Sequence, residues 1–394
     1  MQRWPVLLFL FVSGFQALRA ETVLVLPFFN QSETPNLDWI GESVAETVRE
    51  SLDNAGVLAL DRQDRLEAFR RLSLRPNAVL THASVIKAGE SLDASQVIYG
   101  QFEVTPSTMN QAGSSRGTLR ITGRILNVKR YRQGPEFSES GPLEDLASLS
   151  ARFSWKALTY LEPKVAPSEE EFLRSRPRVR LDARESYIRG LLATDAEQKM
   201  HFFTQAARLD NSYSQPCFEL GKAYWARKDY RLAAGWLKRV NGADPHYLEA
   251  QFFLGLCNYQ TGDYAGAQKC FETVAATVPL NEVYNDLGAA QIRRDPNGAI
   301  ESFRKALEGD SADPIYHFNL AYALWKAGQF ETAAAEFRAV LERNPNDDDA
   351  AAMLIRAERR EAPRPGSEGR ERLKTNYEET AFRQLKAELE SKKN

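Results

Sequence analysis

Four histidines, three cysteines and one hydrolase-like string are the residues whose types could do chemistry in this 394-residue sequence. His82, His201, His246 and His317 are too scattered to form a pair such as H-E-x-x-H, which sets two imidazoles one helical turn apart for zinc. Gly113-Ser114-Ser115-Arg116-Gly117 matches G-x-S-x-G, yet that string needs a sharp strand-to-helix turn, and the flanks here predict a hairpin loop. Gly221-Lys222 is followed by Ala223, within a helical pattern, and cradles no phosphate. Lys129-Arg130-Tyr131-Arg132 reads as a solvated turn, because 51 basic against 53 acidic side chains leave a net charge of −2 and no clustered excess for nucleic acid. The expectation is a chain that is not an enzyme and takes no cofactor or metal, so that a surface must carry the function.

The elements that could build such a surface repeat. Leu220-Gly221, Leu254-Gly255, Leu287-Gly288 and Leu320-Ala321 recur at steps of 34, 33 and 33 residues. Ala233, Ala267, Ala299 and Ala333 follow, with Leu237, Phe271, Phe303 and Phe337 four positions further on. This pattern predicts paired antiparallel helices whose small residues admit close backbones beside one large apolar side chain. Pro245, Pro279 and Pro345 are expected to stop second helices, with Ser311 replacing proline in the remaining unit. One pair cannot bury its own apolar face, so neighbours must stack. Cys217, Cys257 and Cys270 all fall in these helices and are expected as small buried hydrophobes. Cys257 and Cys270 lie on the two helices of one unit, where a disulfide depends on geometry that sequence does not show.

The pattern resembles the tetratricopeptide repeat family over four units, about 214–247, 248–280, 281–313 and 314–347. Tyr187, Gly190, Phe203 and Ala206 echo it in a degenerate unit upstream, and Asp348–Arg360 would be a capping helix, giving a repeat region over 185–360. The resemblance implies an all-α solenoid whose first helices line a concave groove. Read in register, the groove positions are Phe218, Lys222 and Trp225, then Phe252, Leu256 and Tyr259, then Asn285, Ala289 and Ile292, then Phe318, Tyr322 and Trp325. Aromatic side chains give large contact area with few rotors, which suits a peptide or helix of a protein partner, although the family also uses aromatics there for packing. The basic and asparagine pattern by which some members grip a C-terminal carboxylate is not apparent.

Between Glu21 and Leu161 the periodicity changes. Thr22–Leu26, Val57–Leu60, Gln96–Val104, Thr118–Val128 and a stretch near Glu136–Glu139 read as strands. Helical patterns fall at Trp39–Leu52, Asp64–Leu72, His82–Leu92 and Leu143–Leu161, predicting a layered α/β domain. Thr22–Phe28, Ile40-Gly41 with Val44, and Leu92–Gly100 resemble the amino-terminal domain of TolB and the related domain of curli-secretion-type lipoproteins. The missing acylated cysteine argues against the anchoring and pore formation of the lipoproteins.

Met1–Ala20 has the basic start, apolar run Val6–Val12 and small residues of a signal peptide, with Ala20-Glu21 as the cut. It is shorter than the ~20 apolar residues a spanning helix needs, so an exported, periplasmic protein without a transmembrane span is expected. Residues 162–184 read as a linker with a helical turn at Glu169–Leu173, and 361–394 as a second linker with a charged helical tail, striped by Leu373, Tyr377, Phe382, Leu385 and Leu389. The favoured reading is a noncatalytic protein-interaction scaffold of the bacterial cell envelope, binding its partner in the repeat groove, with the α/β domain docking to a second component or self-associating. The alternative is an envelope enzyme or ligand-binding protein with its site in the α/β domain.

Overall fold

The computed structural model describes residues 22–32, 35–75, 78–106, 117–176, 178–363 and 370–378, together with 381–382, 385–386 and 389. The segment Val6–Val12 and all of Gly113–Gly117 except Gly117 lie outside these residues.

Alternation along the first strand dictates the layering of the N-terminal part. In β1 (Val23–Val25) and its continuation, Val23 and Val25 face one core, while Leu24 and Leu26 face another. β2 (Phe29–Asn30) follows, then α1 (Trp39–Asn54), α2 (Arg62–Arg71) and α3 (His82–Ser91). β3 (Gln96–Thr105), β4 (Thr118–Asn127) and β5 (Arg132–Pro142) form an antiparallel meander, and α4 (Leu146–Leu161) closes the unit. β1 and β2 both pair in parallel with β3, giving one five-stranded sheet. α1 and α4 cover one face around Phe28, Phe102 and Phe153; α2 and α3 cover the other around Phe69 and Val85. The expected strand at Val57–Leu60 is reduced to a single bridge between Val23 and Ala59, where the chain touches the sheet only in passing.

The span read as a linker contains one short helix, at the place where the charged run Glu169–Leu173 reads as a helical turn. α5 (Glu169–Arg174) is capped by Ser168 and buries Phe172, and the Trp155 indole donates to the Pro167 carbonyl at 3.0 Å. α6 (Leu181–Leu192) already begins inside it, because Arg184 has a structural task. All five guanidinium donors of this buried arginine are used. Nε and Nη2 reach the Ser43 hydroxyl, the Ser43 carbonyl and Thr47 Oγ1 at 3.0, 3.3 and 2.6 Å, and Nη1 reaches Tyr213 Oη and Gln215 Oε1 at 3.0 and 3.3 Å. Helix α1 of the sheet domain is thereby bolted to the start of the helical region.

α6 pairs with α7 (Ala196–Leu209). Four further pairs follow: α8 (Ser214–Ala226) with α9 (Tyr230–Leu237), and α10 (Tyr247–Gln260) with α11 (Tyr264–Ala275). α12 (Asn281–Gln291) then pairs with α13 (Pro296–Gly309), and α14 (Pro314–Lys326) with α15 (Phe330–Arg343), before α16 (Asp348–Glu358). A Cβ at Gly190, Gly221, Gly255 or Gly288 would come within 2.5–2.7 Å of Phe203, Leu237, Phe271 or Phe303 on the paired helix. The recurring small residue is thus a close approach, as the spacing predicts. Asp229, Asp263 and Asp295 cap the second helices by accepting from the backbone three residues on. α9 ends at Leu237, well before Pro245, so that proline is not its stop.

Candidate protein-binding groove

The groove positions lie on α8, α10, α12 and α14, and the chain's own C-terminal segment occupies the part formed by α10, α12 and α14. Over 370–378 the expected helical tail is instead irregular, with a bend at Thr375, and lies against this face; among the described residues beyond it, 381–382, 385–386 and 389 are helical. It runs from the fourth unit back toward the first, antiparallel to the order of the repeats.

The grip begins on the backbone. Asn319 donates from Nδ2 to the Arg372 carbonyl at 2.7 Å and accepts the Arg372 N–H on Oδ1 at 2.8 Å. Asn285 donates to the same carbonyl at 2.9 Å, and Asn319 also donates to Asn285 Oδ1 at 2.8 Å. Two residues on, the Lys374 N–H donates to Asp286 Oδ1 at 2.8 Å. These asparagines are fully buried, so leaving their amides unpaired would be costly.

Side chains then fix the register. Arg372 makes a bidentate pair with Asp347 at 2.6 and 2.7 Å while its guanidinium lies 3.6 Å from the Phe318 ring centroid. Those hydrogen bonds hold the Asp347 carboxyl below its usual range. Lys374 pairs with Asp313 and sits 4.9 Å from the Tyr316 centroid. Glu371 accepts from the Tyr259 hydroxyl at 3.2 Å and stands 3.6 Å from Arg293. Tyr377 donates to Glu249 at 2.8 Å, packs edge-on against Phe252 with centroids 5.0 Å apart, and is followed by the buried Phe382. Burial pushes the Glu249 carboxyl up, but His246, 2.5 Å away, together with Lys222 and the Tyr377 hydroxyl, outweighs burial and brings it to about 2.

The aromatic positions read from the sequence are therefore not an open surface. Phe252, Phe318 and Tyr259 meet the tail, and Trp325 donates to the Glu361 carbonyl at 2.8 Å. Leu256, Ala289, Ile292 and Tyr322 are buried in the helical core. Phe218 is buried beneath a stacked His246, and Lys222 and Trp225 stay half-buried at the far end. Asn319, Asp286, Asp313 and Asp347 escaped the sequence reading. The 34-residue step from Asn285 to Asn319 is the signal that could have found the asparagine pair.

Elsewhere, a cleft of about 250 Å³ opens in the sheet domain between Pro27, Tyr99 and Arg124. Its polar groups satisfy one another: Arg124 pairs with Glu136 at 2.7 Å, and Gln133 donates to Tyr99 at 2.9 Å. Among the described residues, no group of three or more His, Cys, Asp or Glu is placed to hold a metal ion, and no helix is long and apolar enough to cross a membrane. Cys217, Cys257 and Cys270 are unbridged and buried, which raises their thiols to about 11, 12 and 11.

The match to a sequence family falls in the helical region. Residues 224–291 and 290–357 match the sequence model of the tetratricopeptide repeat. No curated protein matches the chain. Among solved structures, a MamA RS-1 double mutant is 25% identical, over 42% of this chain and 94% of its own, with a TM-score of 0.38. A MamA from Desulfovibrio magneticus RS-1 is 24% identical, over 42% of this chain and 95% of its own, with a TM-score of 0.37. YrrB, described as a tetratricopeptide repeat protein with an unusual peptide-binding site, is 19% identical, over 42% of this chain and 93% of its own, with a TM-score of 0.33.

Proposed function

We propose that this chain, whose helical region carries tetratricopeptide repeats, is a noncatalytic scaffold of the cell envelope that holds an extended segment of a protein partner in its repeat groove. One observation carries the reading: the groove grips a peptide backbone, through Asn285, Asn319 and Asp286, at Arg372 and Lys374 of the non-helical segment 370–378. Backbone gripping selects a conformation, and flanking acids and aromatics select the side chains. The signal-like first 20 residues support export to the periplasm. The resemblance of Thr22–Gly100 to TolB-type domains supports a docking role for the sheet domain, whose cleft has its titratable groups already paired.

A photo-crosslinking amino acid placed at Lys222 or Trp225, the half-buried end of the groove, tests this in cells of the source organism. We expect a discrete adduct with an envelope protein that disappears when Phe252→Ala and Asn319→Ala are added. An adduct indifferent to both substitutions would count against groove binding. Fusing residues 1–20 to a reporter active only after export checks the compartment, and an inactive, retained fusion would refute it.

A further inference from the structure

Resting on that reading of the groove, we infer that the segment Arg370–Tyr377 is a tethered occupant which the partner must displace. The partner then presents an extended segment of the same chemistry: two cationic side chains two residues apart, and an aromatic hydroxyl three residues beyond the second.

The register on the groove supplies this pattern. Arg372 and Lys374 meet Asp347 and Asp313, while Tyr377 meets Glu249 and Phe252. The cations of the tail face acids, and its one buried acid, Glu371, faces Arg293, so occupant and groove are complementary in charge as well as shape. The fit is nevertheless incomplete. Glu371 Oε1 and Asp286 Oδ2 are buried with no hydrogen-bond partner among the described residues. A segment that supplied partners to these two oxygens would gain hydrogen bonds the tail does not make. The tether compensates: covalent attachment through a few residues of chain gives an effective concentration of order millimolar. A tail of only micromolar intrinsic affinity would then still suppress a free competitor roughly 1,000-fold. Occupancy by the chain itself and displacement by a better-matched segment are thus compatible.

The test uses full-length protein and a labelled synthetic peptide of residues 370–389. In the variant Arg372→Glu, Lys374→Glu, each new carboxylate opposes Asp347 or Asp313 and should release the tail. The variant should bind the peptide at least about 100-fold more tightly than the wild type, as expected when an intramolecular competitor is removed. Adding Asn319→Ala should abolish that binding, and a peptide carrying the same two charge reversals should not bind. Equal affinity of wild type and variant for the peptide would overturn the tethered-occupant inference while leaving the groove reading intact. A folded variant whose tail is cut by trypsin, yet which binds no peptide, would instead overturn the groove reading itself.

Should the variant fail to fold, amide exchange on the wild type gives the answer. Saturating peptide should raise exchange at 372–377, and unchanged protection would sink the inference. Sedimentation should show the same species for wild type and the double charge-reversal variant; a concentration-dependent dimer in the wild type alone would overturn the inference in favour of tail exchange between two copies.

Discussion

Asn319 shows how one side chain can read a backbone. Its amide donates and accepts at Arg372 while donating again to Asn285, so three hydrogen bonds meet on one fully buried side chain. Asn319→Ala strips all three and leaves the Arg372 carbonyl to Asn285 alone. We expect a loss of about 1–3 kcal/mol in denaturant unfolding, with faster trypsin cleavage of the tail. The His246–Glu249 pair gives a pH dependence. Burial lowers the affinity of His246 for its proton, but Glu249, with a smaller contribution from Asp244, outweighs burial and the net shift is upward. A raised histidine contributes stability that is present below its unfolded value near 6.5 and lost as pH rises through the folded value; Glu249 contributes above about 4.5 and loses it as pH falls toward about 2. The melting-temperature gap between wild type and His246→Ala should therefore be widest between about pH 5 and 6.5 and should shrink above that window. A gap that widens at alkaline pH would show that the pair is not the cause.

At the scale of elements, two glycines separate tolerable from intolerable close approach. A Cβ at Gly41 would strike the Phe28 carbonyl, a backbone atom fixed at the start of α1 by the Phe28 N–H bond to the Gly41 carbonyl at 3.2 Å. A Cβ at Gly255 would meet the Phe271 ring at 2.7 Å, and the corresponding Ala321 already coexists with Phe337. Gly41→Ala should cost the more of the two, at the upper end of the about 1–3 kcal/mol typical of overpacking, as read by thermal unfolding. The same contrast explains what the sequence disclosed. Helix pairs were legible because small and large residues must recur at the crossing, and β3 and β4 because their apolar alternation is bounded by turns. The tail was not. Leu373, Tyr377, Phe382, Leu385 and Leu389 carry a helix-like spacing, yet over 370–378 the asparagines bind the main chain, which leaves no mark in the tail's own residue pattern. The aromatic groove was legible as a face, but its occupant follows only from tertiary placement.

On the scale of the whole molecule, Arg184 joins the sheet domain to the repeats, and the tail joins the last repeats to the second. Arg184→Leu would leave Ser43, Thr47, Tyr213 and Gln215 without their shared donor at a buried junction. We expect a loss of about 2–4 kcal/mol and, in calorimetry, one transition giving way to two as sheet and solenoid unfold separately. A single transition at an unchanged temperature would show that the junction does not couple them. The covalent route of the tail has one more consequence. While residues 364–369 are intact, tail docking is unimolecular and indifferent to how much protein is present. One peptide-bond cleavage there changes the molecularity and none of the contacts: the severed segment stays seated in a concentrated sample and departs on dilution. A nicked molecule would thus open irreversibly once its fragment diffused away, so that a protease acting on this stretch would set a one-way timer, where a displacing partner would work a reversible switch.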